Sequence, residues 1–418
     1  MNEVHFELPF FTNLLILLVM ARIFGEIFER FKQPAMIGEI IAGIILGPSL
    51  LNIIHRTEDI KVISELGIFL LVIIAGLEIN IDDILKSLKG RNIIISIMAF
   101  FIPIFGGIAV GYYFDQDIMT TVFIGLCVAI TALPVSIRIL MDLGKINSEV
   151  GQKIISIAIF DDVLALSILG VLLNIKDTDM SAHSVVVASS LSLLKLAIFI
   201  GLLGLAYVMI KKVLKKGNYI QESLDNIVHV IKGKEPLFAL FFAFVLLFST
   251  FTENLGLHFI VGAFFAAMLI SHSLIGEENF KTIETTTNSM AMGFLAPIFF
   301  AGIGLEFNIG SIDNIGLLVA VIGISYLSKI AGGYLGGTFA GLSSRVSLTL
   351  GVGLNARGIM ELVIANIAYK NGLISTEVFS ILVIMGVLTT LTTPLLLKKA
   401  FARMDKVDAQ QANANPSV

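Results

Sequence analysis

Long apolar stretches separated by short polar interruptions run along the whole chain. A helix needs roughly 20 mostly apolar residues to cross the hydrocarbon core of a bilayer, and each stretch has about that length. Backbone groups in lipid must be hydrogen-bonded internally, so each stretch is predicted to be a helix. The pattern predicts thirteen spans, at residues 8–24, 35–53, 61–78, 92–114, 118–140, 150–174, 184–210, 236–253, 257–274, 290–308, 314–341, 345–369 and 377–398.

We therefore expect an all-α integral membrane protein with a single transmembrane domain over residues 1–400. The polar segment 401–418 carries a proline and no apolar period, and it is predicted to be a disordered cytoplasmic tail. The composition agrees, because 56% of the residues are apolar and 14% are charged, whereas about a quarter of the residues in a soluble domain are charged. No room remains for a soluble domain.

Composition also limits the chemistry. The lone cysteine, Cys127, excludes an intrachain disulfide and a multi-cysteine metal site. The net charge of -4 gives no reason to expect a nucleic-acid partner. We expect neither an enzyme activity nor a cofactor.

The distribution of Lys and Arg predicts the orientation in the membrane. If the N-terminus lies outside, twenty of the 28 basic residues fall in inner loops or at the inner ends of spans, and four, Arg56, Lys61, Lys176 and Lys370, fall in outer loops or at an outer span end. Basic residues favour the cytoplasmic side, so this orientation is the expected one. The predicted location is the inner (plasma) membrane, with the C-terminus in the cytoplasm.

Two short strings recur at one spacing. The string GLE-x-N-I occupies residues 76–81 and 304–309, and the strings GKINSEV and GLISTEV occupy residues 144–150 and 372–378. Both pairs are offset by 228 residues and both lie at span ends, which indicates an internal duplication.

The offset corresponds to seven spans, so each copy crosses the membrane in the opposite direction to its partner. Inverted repeats of this kind are typical of secondary transporters, whose binding sites lie near the midplane between the repeats. The expected halves are about 8–174 and about 236–398, joined by a linker helix at 184–210.

Unusual residues for a membrane interior converge at mid-depth. Span 6 centres on Asp161 and Asp162, span 11 on Lys329, and span 5 on a stretch that includes Thr131. A charge at this depth costs about 2.5 to 3.5 kcal/mol, so each is a functional hypothesis. A carboxylate here could hold either a proton or an alkali cation, and competition between them is the minimal requirement for exchange. We predict ion and proton binding at Asp162, Asp161 and Thr131, with Lys329 as the counter-charge.

Helix breakers lie near the centres of spans 5 and 12, which correspond under the repeat. Pro134 cannot donate a hydrogen bond to the carbonyl of Ile130, and several glycines weaken the stretch around Asn355. Paired interruptions of this kind point to a transporter binding site. We place Ala132, Pro134, Asn355, Arg357 and Glu361 in this second group of candidates. Arg357 and Glu361 are spaced to pair along a helix, and the pair could be structural or could act in gating.

These residues and motifs resemble the monovalent cation:proton antiporter superfamily, in the branch of bacterial sodium/proton exchangers and glutathione-gated potassium efflux transporters. The matching strings are GEIIAGIILGP at 38–48, AGLE at 75–78, the Asp161–Asp162 pair, PIFFAGIGLE at 297–306, and Arg357-Gly358 with Glu361. Together they cover nearly the whole chain. Inverted repeats are already known in this superfamily.

The resemblance implies a fold of thirteen helices with crossed discontinuous helices, and a homodimer whose core moves by alternating access. It implies that Asp162 carries the ion and protons while Asp161 pairs with Lys329. The potassium efflux relatives carry a cytoplasmic nucleotide-binding domain after the last span, and this chain ends about twenty residues beyond it. Gating by glutathione or nucleotide is therefore not expected unless the chain has been cut.

We thus predict electrogenic exchange of a monovalent cation, sodium or alternatively potassium, for protons. A channel-like or uniport potassium pathway is the alternative, and it would conduct without a proton gradient. An intramembrane aspartyl protease is disfavoured, because that chemistry needs two aspartates on facing helices. Carboxylate and carbonyl oxygens suit sodium, lithium and potassium, so the sequence leaves the cation open.

Overall fold

The computed structural model describes residues 9–54, 57–79, 90–175, 234–255, 257–270 and 275–414, with short stretches between residues 190 and 208. All regular secondary structure in these ranges is helical. The helices are α1 (Phe10–Arg30), α2 (Ala35–Leu46), α3 (Glu58–Glu78), α4 (Asn92–Tyr113), α5 (Ile118–Ala129), α6 (Leu133–Asp142), α7 (Glu149–Ile175), α8 (Lys234–Asn254), α9 (Phe259–Leu269), α10 (Glu277–Met290), α11 (Ala296–Glu306), α12 (Ile315–Phe339), α13 (Ser344–Gly353), α14 (Ile359–Lys370) and α15 (Thr376–Ala414).

The predicted spans agree with these helices wherever the structure describes the chain. Each of the other twelve spans coincides with one helix or with consecutive helices, while the predicted linker span at 184–210 lies largely outside the described residues. Nine stretches of helix within the described part are long and apolar enough to cross a membrane. The all-helical membrane class is therefore confirmed.

The C-terminal segment differs from the prediction. The segment predicted to be disordered from residue 401 instead continues α15 to Ala414, and residues 415–418 lie outside the described part. No glycine or proline occurs between residues 399 and 414, and alanine, glutamine and lysine recur there. These residue types favour helix even without an apolar face.

The chain divides into two compact units. The first comprises Met1–Ile60, Asp83–Ala165 and Phe300–Val418, and the second comprises Lys61–Asp82 and Leu166–Phe299. All of the candidate site residues lie in the first unit.

The surface of α1 shows how the chain meets lipid. Its exposed apolar residues follow every fourth position, at Phe11, Leu15, Val19, Ile23 and Ile27. The buried residues of the same helix are Asn13, Leu17, Ala21 and Gly25. Residues four apart share one face of a helix, so an apolar stripe faces outward and the buried residues face the protein.

Glycines allow close helix packing in the first unit. A Cβ atom on Gly43 of α2 would overlap the carbonyl oxygen of Ala301 in α11, and one on Gly304 would overlap the carbonyl oxygen of Ile40. Small residues at such contacts are the usual means of packing helices in lipid, where van der Waals contact replaces the hydrophobic effect. The contact between α2 and α11 thus depends on glycine from both sides.

Substitution of Gly43 by alanine is expected to lower the thermal stability in detergent, because overpacking a close contact costs roughly 1 to 3 kcal/mol. Gly323 in α12 is the matched control, since a Cβ atom there would have no atom within 4 Å. Gly323→Ala should leave the melting temperature unchanged or slightly raised. Equal losses in both variants would contradict the close packing at Gly43.

The core of the second unit is built from aromatic and small residues. Ile73 of α3, Phe241 of α8, Ala263 and Ala267 of α9 and Phe280 of α10 belong to one buried cluster. Alanines on α9 allow the larger side chains of its neighbours to approach the helix backbone closely. The four helices thereby form one contiguous packed group.

Candidate functional site

The first helix interruption separates α5 from α6. The backbone of Ile130 and Ala132 is extended, and Pro134 lies in the first turn of α6. Proline is tolerated in a first turn, where its missing N–H would have no intrahelical acceptor, but not further into a helix. The predicted interruption at Pro134 is therefore present, and it leaves the backbone on either side in need of partners.

The second interruption separates α13, which ends at Gly353, from α14, which begins at Ile359. A Cβ atom on Gly358 would lie 2.8 Å from Ala132 Cβ and 3.0 Å from Val135 Cγ2. Glycine at position 358 thus permits the second interruption to pass close to the first.

Hydrogen bonds join the two helix interruptions. The backbone N–H of Ala132 donates to the carbonyl of Ala356 at 2.8 Å, and the Thr131 hydroxyl donates to the carbonyl of Leu354 at 3.0 Å. Backbone groups in a membrane interior must find protein partners when lipid offers none. The interrupted helices of the two predicted repeats therefore meet through backbone polar groups, all of them buried.

Arg357 caps the C-terminal end of α5. Its guanidinium is fully buried and donates to the backbone carbonyls of Cys127 and Val128. The last carbonyls of a helix carry partial negative charge and lack intrahelical donors, so a cation there is stabilising.

Arg357 and Glu361, which are spaced to pair along a helix, make no hydrogen bond to each other. A four-residue spacing brings side chains together only in a continuous helix, and Arg357 lies before the first residue of α14. Neither carboxylate oxygen of Glu361 has a hydrogen-bond partner among the described residues.

Asp161 and Lys329 form a buried ion pair. Lys329 Nζ on α12 lies 2.7 Å from Asp161 Oδ2 on α7, and both side chains are fully buried. The same ammonium donates to the carbonyl of Ala99 on α4 at 3.1 Å. A buried ion pair is tolerated when hydrogen bonds satisfy it, and this geometry supplies two of them. The sequence placed both residues at mid-depth and required each to have a partner, and the contact agrees with that expectation.

Asp162 is the neighbouring carboxylate and is only 1% exposed. Consecutive residues on a helix project about 100° apart, so Asp162 faces a different direction from the Asp161–Lys329 pair. Thr131 lies beside Asp161, which joins the helix interruption to the ion pair.

Asn355 lies in the second interruption and is fully buried. Its Nδ2 donates to the carbonyl of Gly351 at 3.1 Å, while its Oδ1 has no hydrogen-bond partner in the described part of the chain. A buried carboxylate pair and an amide oxygen are the kinds of ligand that hard cations prefer. The arrangement could therefore bind either a cation or protons.

Glu39 and Asn366 are among the buried polar groups of the first unit that the sequence analysis did not single out. Glu39 on α2 is 3% exposed and lies 3.8 Å from Arg22, and Asn366 on α14 donates to Glu306 at 2.6 Å. Glu39 occurs in one of the motif strings and within a predicted span, which was a usable signal. Nothing in the sequence marked the contact of Asn366 with Glu306, because it joins two helices that are distant in the chain.

Comparison with known proteins supplies independent information. Residues 14–399 match the family described as the transmembrane sodium/hydrogen exchangers. The Na(+)/H(+)-K(+) antiporter GerN of Bacillus cereus is 27% identical over 402 residues, which cover 96% of this chain and 98% of the relative. The Na(+)/H(+) antiporter NhaS4 of Synechocystis is 30% identical, and the alignment covers 93% of this chain and 96% of the relative.

Among solved structures, the sodium proton antiporter MjNhaP1 of Methanocaldococcus jannaschii superposes with a TM-score of 0.69. The match covers 94% of this chain and 97% of that one at 18% sequence identity. Similarity at this identity supports a shared fold, in agreement with the helical architecture.

Proposed function

The chain belongs to the transmembrane sodium/hydrogen exchanger family, and from this premise we propose that it exchanges a monovalent cation, sodium in the first instance, for protons. This is a family of multi-pass membrane transporters rather than enzymes. The observation that carries the proposal is the buried Asp161–Asp162 pair, with Lys329 bound to Asp161 beside two interrupted helices.

Asp162 is the proposed site of competition. An ionised carboxylate buried in a low-dielectric environment is costly unless a proton or a cation neutralises it. Either ligand satisfies Asp162, and both use the same oxygens, so binding of one displaces the other. Net exchange follows when the site opens to the two sides of the membrane in turn.

Lys329 is proposed to couple proton release to cation binding. With the cation absent, the ammonium neutralises Asp161, because leaving either charge alone would be unfavourable. A cation bound at Asp162 adds positive charge nearby, which weakens the ion pair and favours loss of the lysine proton. Cation uptake is thereby linked to proton release.

The assembly and location are part of the same proposal. We place the protein in the plasma membrane with its N-terminus outside, from the distribution of basic residues. A homodimer is proposed from the family resemblance. Crosslinking of the purified protein in lipid tests the dimer, and labelling of single cysteines placed at the two ends of α1 tests the orientation.

Transport is expected to be electrogenic, because two carboxylates and a lysine offer more than one proton-binding group for each cation. Proteoliposomes with an internal pH dye should show proton movement on addition of sodium, and this movement should change when the membrane potential is collapsed. Potassium and lithium, added separately, identify the cation. Exchange that neither charges the vesicles nor responds to an imposed potential would instead indicate one-for-one coupling.

The same vesicles distinguish exchange from a uniport pathway. A channel-like potassium pathway would move the cation without a proton gradient and would not acidify or alkalinise the lumen at zero potential. An exchanger should move protons whenever a cation gradient is imposed, with or without a potential.

A further inference from the structure

Glu361 is a further buried carboxylate, and the exchange mechanism assigns it no role. It lies in the first turn of α14 and is fully buried. Both of its oxygens lack hydrogen-bond partners among the described residues. An ionised and unpaired carboxylate is strongly disfavoured in such a place, so the side chain is expected to carry a proton here.

The packing around Glu361 leaves room for the carboxyl group. A Cβ atom on Gly386 of α15 would lie 3.3 Å from each of the two oxygens, so glycine at this position keeps the space open. The charged or titratable groups that face Glu361 within the described residues are Arg357 and the thiol of Cys127.

The second repeat has no counterpart of the aspartate pair. The offset of 228 residues places Thr389 and Thr390 where the first half has Asp161 and Asp162. Thr390 donates to the backbone carbonyl of Arg357 at 2.9 Å, so α15 contacts the second interruption at this level. The second half thus lacks the aspartate pair and has a buried carboxylate on the adjacent helix instead.

Arg357 is the one cation that faces Glu361 in the described part of the chain. Two of its nitrogens hold the carbonyls of Cys127 and Val128, while its Nε has no partner. The guanidinium therefore has two possible arrangements. It can donate hydrogen bonds to the carbonyls at the end of α5, or it can pair with Glu361 once that carboxyl group is ionised.

We propose that Glu361 is a second proton-binding site. Its protonation state determines whether Arg357 binds the carbonyls at the end of α5 or the carboxylate of Glu361. In the step, the O–H bond of Glu361 breaks, the proton passes to a water molecule, and the carboxylate pairs with the guanidinium. The carbonyls of Cys127 and Val128 then lose donors, which loosens the contact between α5 and the second interruption. The consequence for transport rests on the proposed function, but the proton binding does not.

Infrared spectroscopy can test the site without transport. The chain has one cysteine, so the S–H stretch of Cys127 is a unique reporter beside Glu361. In difference spectra between acidic and alkaline buffer, the wild type should lose a protonated-carboxyl band and shift the S–H band together. Glu361→Gln, which resembles the protonated acid, should lack the S–H shift and the carboxyl change that coincides with it, while the bands of the other carboxyl groups, including Asp162, remain.

Glu235 provides a matched control, because it occupies the first turn of α8 but is exposed. Glu235→Gln should behave like the wild type. Asp162→Asn, in which exchange is expected to stop, should keep the titration, so failure of this proposal is distinct from failure of the exchange mechanism. An S–H shift that persists in Glu361→Gln together with a coincident carboxyl change would overturn the assignment, as would the absence of the coincident changes from the wild type.

The pH dependence of exchange by Glu361→Gln is a second measurement that tests the proposal. Because the amide cannot release a proton, the variant should lose the pH dependence of exchange over the range in which the wild-type S–H band moves. If Glu361→Gln does not fold, Glu361→Asp should retain the two coincident infrared changes at a shifted pH. An unchanged pH profile in Glu361→Gln would show that the group has only a structural role.

Discussion

Replacement of Asp162 by asparagine is expected to abolish cation-dependent proton movement while the protein still folds and inserts. The amide retains the shape of the side chain, but it can bind neither a transferable proton nor the charge of a cation. Asp162 is 1% exposed, so the substitution also removes a costly buried charge, and stability should not fall. The measurement is dye-reported proton flux in proteoliposomes, normalised to the amount of folded protein.

Asp161→Asn is the matched control, because the same chemical change is made one residue earlier on the same helix. Asp161 is engaged with Lys329, so its loss should weaken or alter coupling without removing the proposed binding site. The variant should retain measurable exchange, with a lower thermal stability than that of Asp162→Asn. Robust exchange by Asp162→Asn, or greater loss in Asp161→Asn, would reverse the roles assigned to the pair.

Lys329→Gln is expected to lower the stability strongly at neutral pH. Removing one partner of a buried ion pair leaves the other unpaired, at a cost of about 3 to 5 kcal/mol. Lys329 also donates to the carbonyl of Ala99, and glutamine can replace only part of that contact. Exchange should persist with reduced electrogenicity, because Asp162 remains.

A double-mutant cycle isolates the interaction. Lys329→Gln combined with Asp161→Asn should cost less than the sum of the two single changes, because no uncompensated charge is left in the double variant. Thermal unfolding in one detergent, at one pH, gives the four melting temperatures needed. Strictly additive losses would show that the two residues do not interact, and the proposed link between cation uptake and lysine deprotonation would have to be withdrawn.

The spans and the ion pair could be inferred from sequence because both obey strong physical constraints. A stretch of twenty apolar residues has few stable conformations in lipid other than a helix. A buried aspartate and a buried lysine at the same depth each require a charge partner. Lys329 could therefore be matched to the aspartate pair, although 168 residues separate it from Asp161. The choice of Asp161 over Asp162 was implied by the family resemblance.

The partners of Arg357 could not be inferred in the same way. The carbonyls of Cys127 and Val128 belong to the backbone, and no residue type marks them as acceptors. Sequence spacing favoured Glu361, but that spacing has meaning only if the helix is continuous. The exact residue at which a broken span resumes, Ile359 here, decides the outcome, and glycine-rich stretches specify it poorly.

The division into two units also could not be predicted from the sequence. Hydrophobic pattern reports which residues avoid water, and in lipid nearly every residue of a span does so. Which helices pack together depends on close contacts such as the one between Gly43 and Ala301. A glycine at a contact and a glycine facing lipid look the same in the sequence.

The hydrogen bonds between the two interruptions have a consequence for biosynthesis. Thr131 and its acceptor Leu354 are 223 residues apart, and translation at about 5 to 20 residues per second takes roughly 10 to 45 s to cover that distance. During this interval the first half is already in the bilayer with unsatisfied backbone groups at its centre. We therefore expect a fragment truncated between the two halves to leave these groups without partners and to be degraded faster than the full chain.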